Sequence, residues 1–309
     1  MTGHARATGN VVAVDAGKTK VLAGVFTADL AEVERHRVPT TTTDQTVGEL
    51  KDRLTGMIGR HEVRRIGLAV FGPLETDANH PEFGTIVGSS EPQWSGLNLP
   101  RILANEFAIP VYFDVDVNAG ALAEGTHREG GHVDDFVYLS IGTGVGGAFY
   151  SHREAGRRRD PPQLGHTYLP REPDDSYPGS CPFHGSCLQG LASGKALMGR
   201  WRMPAHDLPA AHPAWDLEAR YVARACANLL YVSSATTILV GSGVSSAPGL
   251  IDRANRYLDA FLNGFPENVW RRQGSRERIK RANTAPDSSL IGAAVMAKNG
   301  YGLEFKQMT

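Results

Sequence analysis

At 309 residues the chain is too long for one ordinary core and fits two domains. Hydrophobic content of 41%, charged content of 21% and a formal net charge of −1 give no field that would recruit nucleic acid or an acidic membrane. No apolar run approaches the ~18 residues of a membrane span. Met1-Thr2-Gly3-His4-Ala5-Arg6 lacks the apolar core of a signal peptide, so a cytoplasmic protein is expected.

Residues 1–9 read as a loose tail. Apolar runs at 11–14 and 21–26 flank Asp15-Ala16-Gly17-Lys18-Thr19-Lys20 and predict a hairpin over about 10–27, with a third strand near 32–38. The polar turn is phosphate-sized, and Asp15 could hold Mg²⁺ through water. Asp44 can cap a helix running to about Gly59, with Val47, Leu50, Leu54, Met57 and Ile58 along one face. Arg65-Ile66-Gly67-Leu68-Ala69-Val70 is a strand ending in Phe71-Gly72-Pro73-Leu74, at the edge where open α/β sheets bind ligands. The loop-rich stretch 75–99 is long enough to be functional and is assigned to the substrate side.

A short helix follows at 99–107, then a strand at Val111-Tyr112-Phe113 leading to Asp114-Val115-Asp116-Val117-Asn118, and a helix from 119 that links the domains. Asp116 can take a proton from a hydroxyl attacking phosphorus. Asp114 competes for that role, and an Asp ahead of a helix also serves as a cap.

The second half opens on a buried strand, Phe136-Val137-Tyr138-Leu139, and on Ser140-Ile141-Gly142-Thr143-Gly144-Val145-Gly146-Gly147. Its glycines let the backbone turn tightly and approach a ligand. Successive N–H groups there make an anion-binding concavity, to which Thr143 adds a hydroxyl. A plain tight turn has the same composition. Paired with the turn at 15–20, the stretch points to a nucleotide clamped between two domains. Residues 153–162 read as a basic surface loop in which Arg157-Arg158-Arg159 is a solvated face.

Cys181-Pro182-Phe183-His184-Gly185-Ser186-Cys187 spaces three metal ligands two residues apart, and His166 supplies a fourth. Two thiolates and two imidazoles make a closed, structural Zn²⁺ site. The alternative is scattered cysteines and surface histidines. Three cysteines make a poor disulfide framework, and Cys226 falls in a helical pattern as a core residue. Helices are expected at 193–201, 215–234 and 250–262. The strand Thr237-Ile238-Leu239-Val240 ends in Gly241-Ser242-Gly243-Val244, where a base or ribose could approach the backbone, or which is a simple turn. The basic stretch 271–281 is unassigned, and a last helix at 289–298 is expected to pack on the N-terminal domain.

Taken together and in this order, the segments at 15–20, 71–74, 116–119, 142–147, 181–187 and 241–244 resemble the ROK (repressor, open reading frame, kinase) family. The Cys-Pro-Phe-His-Gly-x-Cys form is most similar to its fructokinase subgroup. The resemblance covers about residues 10–300. It implies an α/β chain with the actin-like ATPase fold: two ribonuclease-H-like domains with an active-site cleft between them, placed at 1–117 plus 289–309 and at 118–288. It implies ATP-dependent phosphorylation of a sugar hydroxyl with Mg²⁺, a structural Zn²⁺ and a homodimer, and no nucleic-acid or membrane partner. Asp116 matches the family's catalytic base. Asp15, Gly17, Lys18, Thr19, Lys20, Gly142, Thr143, Gly144, Gly241 and Gly243 fall on nucleotide-binding segments. His166, Cys181, His184 and Cys187 match the zinc ligands. Gly72, Pro73, Ser89, Glu91, Asn118, Gln163, His166 and Gln189 are assigned to the sugar. The family's repressors carry an added N-terminal DNA-binding helix-turn-helix; with only about nine residues before the first strand here, a repressor is not expected.

The sequence departs from the family in the phosphate turn and at sugar-facing positions. Lys18 stands for a usual Gly, Gln163 and Gln189 for usual glutamates, Ser89-Ser90-Glu91 for Thr-Pro-Lys, and Lys195 for Pro. Charge-assisted hydrogen bonds are roughly twice as strong as neutral ones, so two lost carboxylates should re-aim sugar recognition. The expectation is a kinase of a non-standard hexose-like substrate, an amino sugar or a cyclitol. The alternatives are an ordinary fructokinase, mannokinase or glucokinase, and a non-catalytic sugar-binding or regulatory protein.

Overall fold

The structure, a computed structural model, describes residues 9–89, 91–126, 135–154, 162–233, 235–265 and 277–305. The N-terminal tail before residue 9, Ser90, the Arg157-Arg158-Arg159 face and residues 271–276 of the basic stretch lie outside them. The chain divides into two α/β units. One comprises Met1–Thr126, Glu154–Pro161 and Asp287–Thr309, and the other His127–Arg153 and Pro162–Pro286. Among the described residues no helix is long and apolar enough to cross a membrane.

The first unit is built on β1 (Val11–Ala16), β2 (Lys20–Phe26), β3 (Glu32–Pro39), β4 (Arg65–Val70) and β5 (Val111–Val115), with an edge strand Leu303–Phe305. The order runs from the edge strand through β5, β4, β1 and β2 to β3. β1, β4 and β5 are parallel neighbours, while β2 and β3 continue the sheet as antiparallel hairpins. The apolar runs of β1, β2, β4 and β5 are buried almost throughout, as strands covered on both faces require, while β3 is mostly exposed.

Helix α1 (Thr43–His61) is capped by Thr42, whose hydroxyl accepts from the Gln45 N–H. Asp44, the expected cap, stands one step inside, where its charge faces the positive end of the helix. Leu50, Leu54 and Met57 are buried as expected. Asn98 caps α2 (Leu99–Phe107) by accepting from Arg101 N–H. α3 (Asp116–Thr126) starts three residues earlier than expected, because β5 runs on through Asp114 to Val115 and the chain turns directly into the helix.

The C-terminal helix Ser288–Asn299 returns to this unit and packs on β1, β4 and α3. Two glycines set its distance. A Cβ on Gly67 would lie 1.8 Å from the Ala293 carbonyl oxygen, and one on Gly292 would lie 1.8 Å from that of Ala119. This contact keeps α3 in the first unit, so that unit runs to Thr126 rather than to 117.

The second unit holds β6 (Asp135–Ile141), β7 (Val145–Ser151), β8 (Thr237–Gly241) and β9 (Ile279–Arg281), ordered β7-β6-β8-β9. Its helices are α4 (Leu188–Ala192), α5 (Gly194–Trp201), α6 (Ala214–Val232) and α7 (Leu250–Leu262). Trp215, Tyr221, Val222, Leu258 and the sheet's Val137, Leu139 and Ile238 share one core, and Cys226 is buried within it.

Candidate active site

Three neighbouring parallel strands of the first unit end at the same level. Ala16 of β1 lies opposite Val70 of β4, and Val70 lies opposite Val115 of β5. The residues that follow are Gly17-Lys18-Thr19, Phe71-Gly72-Pro73 and Asp116. Ligands of open α/β sheets collect at this carboxyl edge. The first turn closes through Gly17 N–H to Lys20 O at 3.1 Å, and Thr40 donates its hydroxyl to Gly17 O at 3.0 Å. A Cβ on Gly17 would meet Lys20 O at 2.8 Å, so the turn is tight enough to require glycine.

Asp116 is the first residue of α3, and its Oδ1 accepts the Val117 N–H at 2.8 Å. The competing Asp114 accepts from Val115 N–H at 2.7 Å and from Asn118 Nδ2 at 2.9 Å. Asn118, assigned to the sugar, therefore turns an amide donor toward Asp114. Burial pushes the Asp116 carboxyl up to about 6, against the Val117 N–H and the charge of Lys18, which favour ionisation. Burial first, and the charge of Asp116 second, push Asp15 up to about 7, with Lys20 opposing and Asp287 adding to the rise. Both carboxyls are enclosed yet keep some accessible surface. The Lys18 ammonium lies 5.8 Å from the centroid of the Phe71 ring. The start of the C-terminal helix adds two groups that no local pattern announces: Asp287, the residue before it, which bears on Asp15, and Ser289, which donates to Asp116 O at 3.1 Å.

The long loop after β4 is folded by its own hydrogen bonds. Asn98 Nδ2 donates to Phe83 O at 2.6 Å and Thr85 Oγ1 at 3.0 Å, and Leu74 bridges Ile86. Buried Ser89 accepts the Glu91 N–H at 3.0 Å, and Glu91 is half-buried beside it. Gly72 and Pro73 are joined by a cis peptide and remain partly accessible.

In the second unit β6 and β8 are parallel neighbours with Ser140 opposite Gly241, so both glycine turns leave the same end of the sheet. Gly142 N–H donates to Gly144 O at 2.9 Å. A Cβ on Gly142 would lie 2.6 Å from Ser242 Oγ, and one on Gly241 would lie 2.5 Å from the Tyr138 hydroxyl. Gly243 has open space around it instead. α5 starts against the same loop, with Gly194 N–H donating to Gly142 O at 2.7 Å and Lys195 N–H to Thr143 O at 3.4 Å. The usual proline at 195 would lack that N–H.

His166, Cys181, His184 and Cys187 converge so that one ligand atom from each lies within 4.8 Å of the rest. His166 Nδ1 is 3.7 Å from each sulfur and 3.2 Å from His184 Nδ1, and Cys181 Sγ is 3.8 Å from His184 Nδ1. A tetrahedral ion with ordinary Zn–S and Zn–N bonds has ligand–ligand edges of roughly 3.3–3.8 Å. The donor set and its spacing therefore fit Zn²⁺. Gln163 is exposed. Gln189 is not: its Oε1, the acceptor offered to a sugar hydroxyl, instead takes the Val145 N–H at 3.2 Å.

The sequence pattern of the ROK family matches residues 11–300. A fructokinase of Pediococcus pentosaceus is 32% identical over 255 residues, which cover 82% of this chain and 87% of its own. The solved ROK hexokinase of Thermus thermophilus is 26% identical, superposes with a TM-score of 0.69, and spans 93% of this chain and 97% of its own. A ROK family glucokinase of Streptomyces griseus, solved with glucose and AMPPNP, is 22% identical with a TM-score of 0.71 over 94% of this chain and 99% of its own. The α/β architecture is the actin-like ATPase fold.

Proposed function

The chain belongs to the ROK family, and on that premise we propose that it is an ATP-dependent kinase of a hexose-like sugar in which Asp116 is the general base. The observation that carries the reading is Asp116 itself. It stands at the carboxyl end of β5, level with the turns after β1 and β4, with its carboxyl raised to about 6 by burial. A base near that value is ionised at neutral pH yet still takes a proton readily. As the sugar hydroxyl oxygen attacks the γ-phosphorus, Asp116 accepts its proton, and the bond from phosphorus to the leaving oxygen of ADP breaks. The Val117 N–H fixes the carboxylate's orientation.

Gly142, Thr143 and Gly144 are assigned to the phosphates, with Gly17, Lys18 and Thr19 of the first turn, while Gly241 and Gly243 are assigned to the nucleoside. Asp15 would hold Mg²⁺ through water, and Lys20 offsets part of its burial. The metal would neutralise charge on the transferring phosphoryl group. Zn²⁺ on His166, Cys181, His184 and Cys187 would have a structural role. A homodimer belongs to the same reading and is tested by sedimentation.

For the substrate, Gln163 and Gln189 replace carboxylates, and the Gln189 acceptor is engaged by backbone. Both facts favour a non-standard sugar, an amino sugar or a cyclitol, over a ligand held by two carboxylates. Fructose is the second reading, favoured by the fructokinase similarity. An ADP-release assay with Mg-ATP over hexoses, amino sugars and cyclitols separates them. The expected result is turnover confined to an unusual member and a loss of about 10²–10⁴-fold in kcat for Asp116→Asn. Faster turnover of fructose than of any amino sugar or cyclitol would sink the substrate reading. ATP binding without turnover anywhere would favour the non-catalytic protein.

A further inference from the structure

Val145 is the first residue of β7, directly after Gly142-Thr143-Gly144, and it is buried. Both faces of its peptide environment are held by the cysteine–histidine knuckle. Its N–H donates to Gln189 Oε1 at 3.2 Å, and Gln189 stands two residues after Cys187. Its carbonyl oxygen lies 1.9 Å from where a Cβ on Gly165 would be, and Gly165 immediately precedes His166. Glycine there admits a close backbone contact that any side chain would block. The two arms are also tied to each other, through Leu188 N–H to Thr167 O at 2.8 Å and a bridge between Tyr168 and Cys187. His166 and Cys187, two ligands of the knuckle, thus stand on two arms that both touch the residue that ends the glycine loop. α5 holds the other end of that loop, through Gly194 N–H to Gly142 O at 2.7 Å.

We propose that Gln189 is a positioning residue that carries closure of the His166, Cys181, His184, Cys187 knuckle to the phosphate loop through Val145, so that the metal centre and nucleotide affinity are coupled. The inference rests on the kinase reading for the identity of the ligand at the loop. It gives Gln189 a task other than holding sugar: a neutral acceptor for one backbone N–H. Coupling of this kind is reciprocal, so the nucleotide acts back on the metal centre by the same factor.

The test uses the full chain loaded with zinc, as wild type, Gln189→Leu and Gln189→Glu. Amide hydrogen exchange is read at Val145, together with Mg-ADP binding and the separate KM values for ATP and sugar. Gln189→Leu is expected to keep its zinc, to speed Val145 exchange, and to weaken Mg-ADP by about five-fold, the worth of one ordinary hydrogen bond, with the sugar KM unchanged. Gln189→Glu retains an acceptor and restores Val145 protection. In cobalt-substituted wild type, Mg-ADP shifts the visible cobalt bands, and in Gln189→Leu it does not.

Unchanged Val145 exchange in Gln189→Leu overturns the proposal. So does a raised sugar KM with Mg-ADP affinity intact, which would make Gln189 a sugar ligand, and so does a cobalt spectrum indifferent to Mg-ADP in the wild type. Failure of the wild type to bind Mg-ADP at all overturns the kinase reading and the nucleotide half of the coupling. Val145 exchange then still decides whether Gln189 links knuckle and loop.

Discussion

Asp15 and Asp116 are two enclosed carboxyls whose ionisation occurs near neutrality instead of near 4, at about 7 and about 6. Each is raised above its unfolded value, so each binds its proton more tightly in the folded protein, and the stability tied to that proton falls as pH rises through the window from about 4 to about 7. Activity runs the other way, because the base works only when ionised. We expect kcat to climb with pH through about 6 and level off above about 8 as Asp15 also ionises. Lys18 lowers the Asp116 value, so Lys18→Met should move the climb to higher pH. An identical pH–rate profile in that variant would show that Lys18 does not reach Asp116.

Glu218 poses the same question without a catalytic reason. It is buried in α6, neither carboxyl oxygen has a hydrogen-bond partner among the described residues, and burial holds its carboxyl well above the ordinary range against the charge of Arg200. The folded protein keeps that proton, and stability is lost as pH rises above about 4.5. Glu218→Gln removes the titration. A gain in stability at pH 8, read as a higher Tm, should shrink near pH 4.5. Equal shifts at both pH values in thermal melts would refute the account.

Between the two arms of the cysteine–histidine knuckle, the element to watch is the segment around Asp175. Both its carboxylate oxygens accept from Arg200, at 3.1 and 3.0 Å, and Tyr221 OH adds a bond of 2.6 Å. Burial raises the Asp175 carboxyl, yet Arg200 and Tyr221 outweigh it and hold the group below its usual value. This contribution is present at neutral pH and is lost as pH falls below about 4. Asp175→Ala leaves a buried guanidinium unpaired and should cost about 3–5 kcal/mol in denaturant unfolding. The loss in Asp175→Ala with Arg200→Ala should be less than the sum of the two single losses. Strict additivity would mean the pair is not a unit.

At this scale the sequence is legible where the physics is local. α2 and α7 have the expected bounds, because an apolar face, a Pro near one start and a Gly before the other are all written within a few residues. The knuckle was readable for the same reason: four ligands lie within a short span of chain, and their chemistry admits few alternatives. Choices between neighbours were not readable. Thr42 and Asp44 are both competent caps, and only the backbone path selects Thr42. Asp114 and Asp116 look alike in sequence, and it takes the Asn118 side chain turning onto Asp114 to set them apart. The hold of Gln189 on Val145, or of Ser289 on Asp116, depends on residues brought together from far along the chain.

For the molecule as a whole, the path of the chain matters more than any one contact. The first unit opens the sequence and also closes it, while the second occupies most of the stretch between. The C-terminal helix that packs on β1 and β4 comes after all the strands it covers. A ribosome thus delivers the first sheet early and its cover last, with the second unit emerging complete in the interval. Domains fold as units, and transiently bare apolar surface invites aggregation. On stalled nascent chains, protease resistance should therefore arise in the second unit before the first. The half of the protein that is born first should be the one that waits longest for protection and leans most on chaperones during synthesis.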